Sequence, residues 1–328
     1  MKNYGGGDAL PKTAVIGGGT GLSVMLRGLK QMPLDITAIV TVADDGGSSG
    51  VLRSELKIPP PGDIRNVLLA LSDVEPMLSR MLQHRFENGT GLAGHSLGNL
   101  ILAAMKDITG DFVTGVKELS RVLAVRGRVL PAAAQAIVLK AEMEDGTIVS
   151  GESQIPNAGK KIKRVFIDQE GVQPLEESIR ALQEADAILM GPGSLYTSIL
   201  PNLLVPGIAE TIIESNALKI FVCNVMTQPG ETDHYSVFDH LDTIRKHAGH
   251  PIFDYVIVNN GEIPQDVREA YAKQGADIVR LDLDKVAEHG YGIIQDDLIQ
   301  TQTYLRHDSE KLSRHIYRLI KNRMEQKR

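Results

Sequence analysis

Short runs of β-branched and aliphatic residues alternate along the chain with stretches whose apolar positions recur every three or four residues. Residues 13–16, 36–42, 187–190, 220–225, 255–258 and 277–281 read as strands, and nearly continuous apolar runs of this length suit strands buried on both faces. Strands alternating with helical patterns predict a mostly parallel sheet with helices on both sides. After the first strand, Leu22, Leu26 and Leu29 are spaced to face that sheet. Residues 59–130 carry helical spacing at Leu68, Leu71, Met77 and Leu82 and read as a helical insertion. Between 136 and 155 two extended runs flank Glu144-Asp145-Gly146, which predicts a β-hairpin at the sheet's edge or outside it. From residue 311 to 328, Leu312, Ile316, Leu319 and Met324 fall near one helical face, with seven Lys or Arg around the rest. That pattern predicts an amphipathic helix packed on the body. No repeat or polar linker marks a boundary, so residues 1–328 are read as one α/β domain elaborated by inserted segments.

Composition narrows the classes. With 42% hydrophobic and 23% charged residues in 328, the chain can bury a full core. A formal charge of -6 lacks the basic surface that displaces counterions from a polyanion, so nucleic acid is not an expected partner. The single cysteine, Cys223, excludes an intramolecular disulfide and a cysteine metal cluster. It fits a reducing compartment such as the cytoplasm. The first eight residues, M-K-N-Y-G-G-G-D, hold no apolar signal region, and no apolar run approaches the roughly 20 residues of a membrane span.

The chemistry concentrates at strand ends. The first strand delivers Gly17-Gly18-Gly19-Thr20-Gly21 into a helix. Lacking β-carbons, such a turn lets backbone N–H groups approach a phosphate, and the helix N-terminus adds about half a positive charge. The spacing departs from the dinucleotide fingerprint, because Leu22 falls where a small third residue is expected, and no P-loop lysine is present. The second strand ends in Asp44-Asp45 before Gly46-Gly47-Ser48-Ser49-Gly50. An acid there suits ribose hydroxyls. The pair equally suits Mg²⁺, with Asp45 the metal candidate, and a simple Asp-Gly turn would explain it too.

In P-P-P-G-D-I-R-N, residues 59–66, Asp63 is placed to cap a helix beginning near Ile64. Arg65 and Asn66 then fall in a first turn, where a cation needs an acidic or phosphate partner. After the strand at 187–190 come Gly191, Gly193, Ser194 and Tyr196, glycines and hydroxyls suited to phosphate or sugar oxygens. Ligands of open parallel sheets sit outside the carboxyl ends of the strands, so this loop and residues 17–21 are expected to share a crevice. Asn224 and Thr227 follow another strand at the same end.

Gly94-His95-Ser96-Leu97-Gly98 matches the G-x-S-x-G pattern of a hydrolase nucleophile elbow. The elbow requires a buried strand immediately before it, whereas residues 84–93 form a polar, glycine-rich loop. Leu97, Leu100, Ile101, Ala104 and Met105 have helical spacing. Ser96 therefore reads as an N-cap or anion contact at a helix entrance, with Asn99 on the first turn and His95 a ligand contact or proton donor.

Six stretches in fixed order carry a resemblance: G-G-G-T-G-L (17–22), A-D-D-G-G-S-S-G (43–50), P-P-G-D-I-R-N (60–66), G-H-S-L-G-N (94–99), G-P-G-S-L-Y-T-S-I-L-P-N-L-L (191–204) and C-N-V-M-T-Q-P-G-E-T (223–232). They resemble the CofD/YvcK-like family, and its gluconeogenesis-factor branch more than its 2-phospho-L-lactate transferases. The resemblance implies a Rossmann-like, three-layer α/β fold with a mostly parallel sheet. It implies a nucleotide over Gly17 to Gly21, with Gly191, Gly193 and Ser194 in the same cleft. The gluconeogenesis-factor branch implies UDP-sugar binding and a role in cell shape and wall synthesis on gluconeogenic carbon. The transferase branch implies Mg²⁺-dependent transfer of a phospholactyl group from a nucleotide-activated donor, with Asp44 and Asp45 at its acidic motif. Asp45, Asp63 and His95 are then the catalytic candidates.

Six Phe, eight Tyr and no Trp leave few rings to stack a deazaflavin acceptor. The expectation is therefore a regulatory protein binding a UDP-sugar or a dinucleotide such as NAD(P). Its phosphates would lie on Gly18 to Gly21, its hydroxyls on Asp44 or Asp45, with further contacts from Arg65, Asn66, His95, Ser96, Asn99, Ser194, Tyr196, Asn224 and Thr227. A protein partner that reads occupancy and a homo-oligomer are expected. The transferase and an NAD-dependent hydride transfer stand as alternatives.

Overall fold

The computed structural model describes residues 9–73, 76–301 and 305–327; the N-terminal eight residues and Arg328, used above, lie outside the described residues. Strand β1 (Lys12–Gly17), buried after its first residue, leads into α1 (Gly19–Leu29) and back to β2 (Asp35–Val40). Helices α2 (Gly47–Leu56), α3 (Pro61–Leu71), α4 (Pro76–Gln83), α5 (Leu97–Thr109) and α6 (Phe112–Val122) follow, as their apolar spacing predicts, before β3 (Arg128–Pro131). Next come β4 (Leu139–Met143), β5 (Ile148–Ser150), two short 3₁₀ turns and β6 (Ile162–Ile167). The chain continues through α7 (Glu176–Gln183), β7 (Ala187–Met190), a wide helical turn at Leu195–Ile199, α8 (Leu200–Leu203), α9 (Ile208–Glu214) and β8 (Leu218–Val222). It ends with α10 (Val237–Ala248), β9 (Tyr255–Asn259), α11 (Gln265–Ala272), α12 (Leu283–Glu288), β10 (Gly292–Asp296), β11 (Ile299–Thr301), β12 (Leu305–His307) and α13 (Ser309–Gln326).

Seven strands form one parallel sheet in the order β10-β9-β8-β7-β1-β2-β3. Successive strands run outward from β1 in one direction and from β7 in the other, so the order reverses between β1 and β7. Alternate side chains divide the core into two layers. Ala14, Ile16, Ile188, Met190 and Phe221 face one side, with the residues of α9 and α10. Val15, Ala38, Val40, Leu189 and Ile220 face the other, with α1, α3 and α13.

The tail behaves as its pattern predicts. Leu312, Ile316 and Ile320 of α13 are fully buried against α1, and each such side chain contributes roughly 1.5–3 kcal/mol of burial. A β-carbon on Gly28 would sit 2.1 Å from the Ser309 carbonyl oxygen, so only glycine admits this close helix approach. No helix among the described residues is long and apolar enough to cross a membrane.

Two sequence expectations are corrected and a third is met and extended. Residues 277–281 form no sheet strand. They run as an extended segment with isolated bridges from Ile278 to Met226 and from Arg280 to Ser236, because the backbone of 277 and 279 is engaged by Thr227 and Val225. The sheet edge is instead taken by residues 292–296. At the opposite edge, residues 128–131 return to the sheet as β3, whose terminal proline is tolerated only on an edge strand. The expected hairpin lies outside the main sheet and gains β6 as a third antiparallel strand, in the order β5-β4-β6. Its Leu139, Ala141, Met143 and Val165 pack onto the main core.

Candidate functional site

Steric crowding dictates the glycines after β1. A β-carbon on Gly18 would lie 2.5 Å from Asp63 Oδ2 and 2.6 Å from Thr41 Cγ2, and one on Gly21 would lie 2.8 Å from the Pro192 carbonyl oxygen. The turn is thus packed against two side chains on one side and against the backbone of the second glycine turn on the other. Gly19 opens α1 with φ +67, in the left-handed region, and the first-turn N–H groups have no intrahelical acceptor.

The turn after β7 is held from β8. The Gly193 N–H donates to Asn224 Oδ1 at 3.0 Å, Asn224 Nδ2 returns to the Gly193 carbonyl at 2.8 Å, and Gln228 Nε2 donates to the Ser194 hydroxyl. Between the two turns, at the switch point of strand order, opens a cavity of about 530 Å³ lined by Gly18 to Gly21, Gly193, Ser194, Asn224 and Thr227. Small-molecule sites span about 300–1,000 Å³ and favour such crevices.

Three polar lining residues carried no readable signal: Tyr271, Arg306 and His307; Gln228 also lines the cavity and lies in the 223–232 stretch. Arg306 is exposed at the cavity and is its one full positive charge among the described lining residues. It raises the local potential enough to depress the neighbouring Arg27, whose own burial is the larger cause. Burial pushes the His307 imidazole down to about 4, so it lines the cavity as a neutral ring, and its Nε2 has no hydrogen-bond partner.

The other predicted residues fall into three places. Gly17 and Gly191 lie behind the cavity: Gly191, at φ +78, would put a β-carbon 2.6 Å from the Val222 carbonyl oxygen. Tyr196 is buried, its hydroxyl 2.7 Å from that of Tyr235, and is part of the core rather than a ligand contact. The wide turn carrying it is capped by Glu231, which accepts from the Tyr196 N–H at 3.1 Å and the Thr197 hydroxyl at 2.9 Å. Burial raises this Glu231 carboxyl above the usual range.

Asp45 is not oriented toward a ribose or a metal. Its two carboxylate oxygens accept the backbone N–H groups of Glu152 (3.1 Å) and Ser153 (2.9 Å), tying the small sheet to the end of β2. Among the described residues no group of three or more His, Cys, Asp or Glu is arranged to hold a metal. Asp44 makes the short turn the sequence allowed, accepting from the Gly46 N–H at 2.9 Å.

Asp63 does not cap α3, which begins two residues earlier behind Pro60. Its carboxyl lies beneath the glycine turn and accepts a hydrogen bond from the Gly19 backbone. Burial, then the neighbouring Asp44, push it up to about 6, and the Gly19 hydrogen bond and Arg65 oppose them. Glu152 is pushed up to about 8 by burial and then by Asp44, Asp45, Asp63 and Glu231.

The first turns of α2, α3 and α5 converge beside these acids. Ser96 caps α5 by accepting from the Asn99 N–H at 3.2 Å, which leaves no strained elbow. Arg65 donates to Ser96 Oγ, to Asn99 Oδ1 at 2.8 Å and to Asn66 Oδ1 at 2.9 Å. Because α3 begins at Pro61, Arg65 lies beyond its first turn; it bonds neutral oxygens and has the Asp63 and Asp44 carboxyls as nearby opposite charges. Ser48 Oγ lies 3.0 Å from His95 Nδ1 and 3.1 Å from Asn99 Nδ2.

A doubly wound parallel sheet, with glycine turns on both sides of its switch point, defines a Rossmann-like α/β protein. Residues 13–299 match the family model described as 2-phospho-L-lactate transferase CofD, and the chain belongs to that family. It is 57% identical over 312 residues to the gluconeogenesis factor of Bacillus subtilis, covering 95% of this chain and 98% of that one. It is 60% identical over 300 residues to the gluconeogenesis factor of Halalkalibacterium halodurans, covering 91% and 93%. A crystal structure of a UPF0052 family member from Bacillus halodurans superposes with a TM-score of 0.92 at 58% identity, over 94% of this chain and 99% of that one.

Proposed function

We propose that this chain is a regulatory protein that binds a nucleotide-sugar of the UDP class, or a dinucleotide, in the switch-point cavity. Occupancy would be passed to a protein partner or a second copy, supporting cell shape and wall synthesis under gluconeogenic growth. The observation that carries this reading is the contact of the two glycine turns at Gly21 and Pro192, which opens one cavity onto both. The diphosphate lies against the first turn of α1, where the N–H groups of Thr20 and Gly21, which have no intrahelical acceptor, and the helix dipole favour negative charge. Arg306 supplies a counter-charge at the cavity wall. The relatives' names, gluconeogenesis factor, support a role in carbon supply rather than in deazaflavin chemistry.

Calorimetry against UDP-N-acetylglucosamine, UDP-glucose, NAD, NADP and GDP, with and without Mg²⁺, tests the reading. At least one ligand binds, and Gly21→Val, which drives a side chain into the Pro192 carbonyl, weakens it at least tenfold. If none binds, or Gly21→Val binds normally, the reading fails.

A further inference from the structure

We propose that Arg65, Asn99 and Ser48 form a polarised hydrogen-bond relay that fixes His95 as its Nε2–H tautomer. The ring then presents a donor, which suits an acceptor oxygen of a ligand and is the wrong polarity for a general base or a metal ligand. The relay does not depend on the identity of the nucleotide proposed above.

Its direction follows from donor and acceptor bookkeeping. A guanidinium can only donate. Because Arg65 donates to Asn99 Oδ1 at 2.8 Å, the Asn99 amide has one orientation, and the flip ambiguity common to such groups is removed. Asn99 Nδ2 therefore donates to Ser48 Oγ at 3.1 Å. Ser48 is only 5% exposed, and among the described residues the sole acceptor for its own proton is His95 Nδ1, 3.0 Å away. The reverse polarity, with Nδ1–H donating to Ser48, would leave a buried hydroxyl proton without a partner. A penalty of that kind favours the Nε2–H form by roughly 5- to 150-fold.

The remaining nitrogen is open. His95 Nε2 makes no hydrogen bond among the described residues, yet it is absent from the buried atoms that lack partners, so it meets solvent. The ring's backbone is pinned as well: the Phe86 N–H donates to the His95 carbonyl at 2.9 Å, and the His95 N–H to that of Leu92 at 3.0 Å. Ser48, Asn99 and Arg65 are positioning residues for His95, the first two on the first turns of α2 and α5 and Arg65 on the second turn of α3.

Long-range proton–nitrogen spectra of the ¹⁵N-labelled full chain at alkaline pH test this, with the His95 ring assigned by its disappearance in His95→Gln. The wild type shows one tautomer, with Nδ1 unprotonated and Nε2 protonated. Asn99→Asp replaces the amide donor with an acceptor that still pairs with Arg65. It should reverse the relay: Ser48 then donates to the new carboxylate, and His95 switches to Nδ1–H. Ser48→Ala should instead give averaged shifts. An Nδ1–H or averaged ring in the wild type, or an Nε2–H ring that persists in Asn99→Asp, overturns the proposal.

Discussion

Replacing Asp45 with asparagine separates a structural carboxylate from a ligand-binding one. Its oxygens take the Glu152 and Ser153 N–H groups at 3.1 and 2.9 Å. Hydrogen bonds to a charged acceptor contribute about 1.5–3 kcal/mol each, and a buried donor left unpaired costs about 1–3 kcal/mol. Asparagine keeps one acceptor oxygen and turns an NH₂ toward the second N–H. One charged bond is weakened to a neutral one and the other is lost, for a cost of about 2–4 kcal/mol in all. At about 1.5 °C per kcal/mol for a chain of 328 residues, Tm falls by about 3–6 °C, with a matching drop in the urea midpoint at an unchanged slope. Because Asp45 is not among the cavity-lining residues, nucleotide affinity should stay within about twofold, a shift of less than 0.5 kcal/mol. A double-mutant cycle with Gly151→Ala sharpens the test. A β-carbon there would sit 2.7 Å from Asp45 Oδ2 in a backbone with φ +104, so the two changes should be non-additive by at least about 0.5 kcal/mol. A tenfold loss of affinity at unchanged Tm would refute this account and return Asp45 to the ligand.

Arg306→Ala should leave Tm unchanged, because the side chain is exposed, while weakening an anionic nucleotide roughly tenfold at low salt and less at high salt in calorimetry. His247 accepts the Val165 N–H at Nε2 (3.0 Å) while its Nδ1 bonds the Thr243 carbonyl (2.8 Å), so it must be neutral to link α10 with β6. Burial lowers its folded pKa below the ordinary 6.5, so its contribution is present above that value and is lost as pH falls below it; urea midpoints should drop from pH 7 to 5, less steeply in His247→Gln. Glu152 has the opposite sign: its folded pKa, near 8, lies above the ordinary 4.5, so stability is lost as pH rises through 8, and Glu152→Gln should be the more stable form at pH 9 by thermal melts. Ile316→Ala should cost about 2–4 kcal/mol in urea unfolding, through lost burial and a cavity beneath α1.

Elements with an unbroken local signal were legible in the sequence. β1, β7 and β9 are apolar runs ending in small or polar residues, and the helices from α3 to α6 carry three-to-four spacing. The glycine turns were legible because strand-to-glycine-to-helix order reports backbone crowding, and Gly18, Gly21 and Gly193 do converge on one cavity. Residues 277–281 show the limit of such reading: they carry a strand's alternation, yet what they pair with is set by the loop at 225–236, far away in sequence. Asp45 shows another limit. A carboxylate's partners can be backbone N–H groups more than a hundred residues on, and no spacing rule encodes that. Arg306 and Tyr271 reach the cavity from the edge of the fold, on short elements without a motif, so only tertiary structure reveals them.

The snug seat of the last helix on Gly28 bears on how the protein is made. The first βα unit, which holds the phosphate-type turn, keeps a greasy flank bare until residues 312–320 have left the ribosome, because that flank is sealed by the final helix. A nascent chain should therefore stay chaperone-dependent until this helix has emerged, and the glycine turn should reach its folded packing only then.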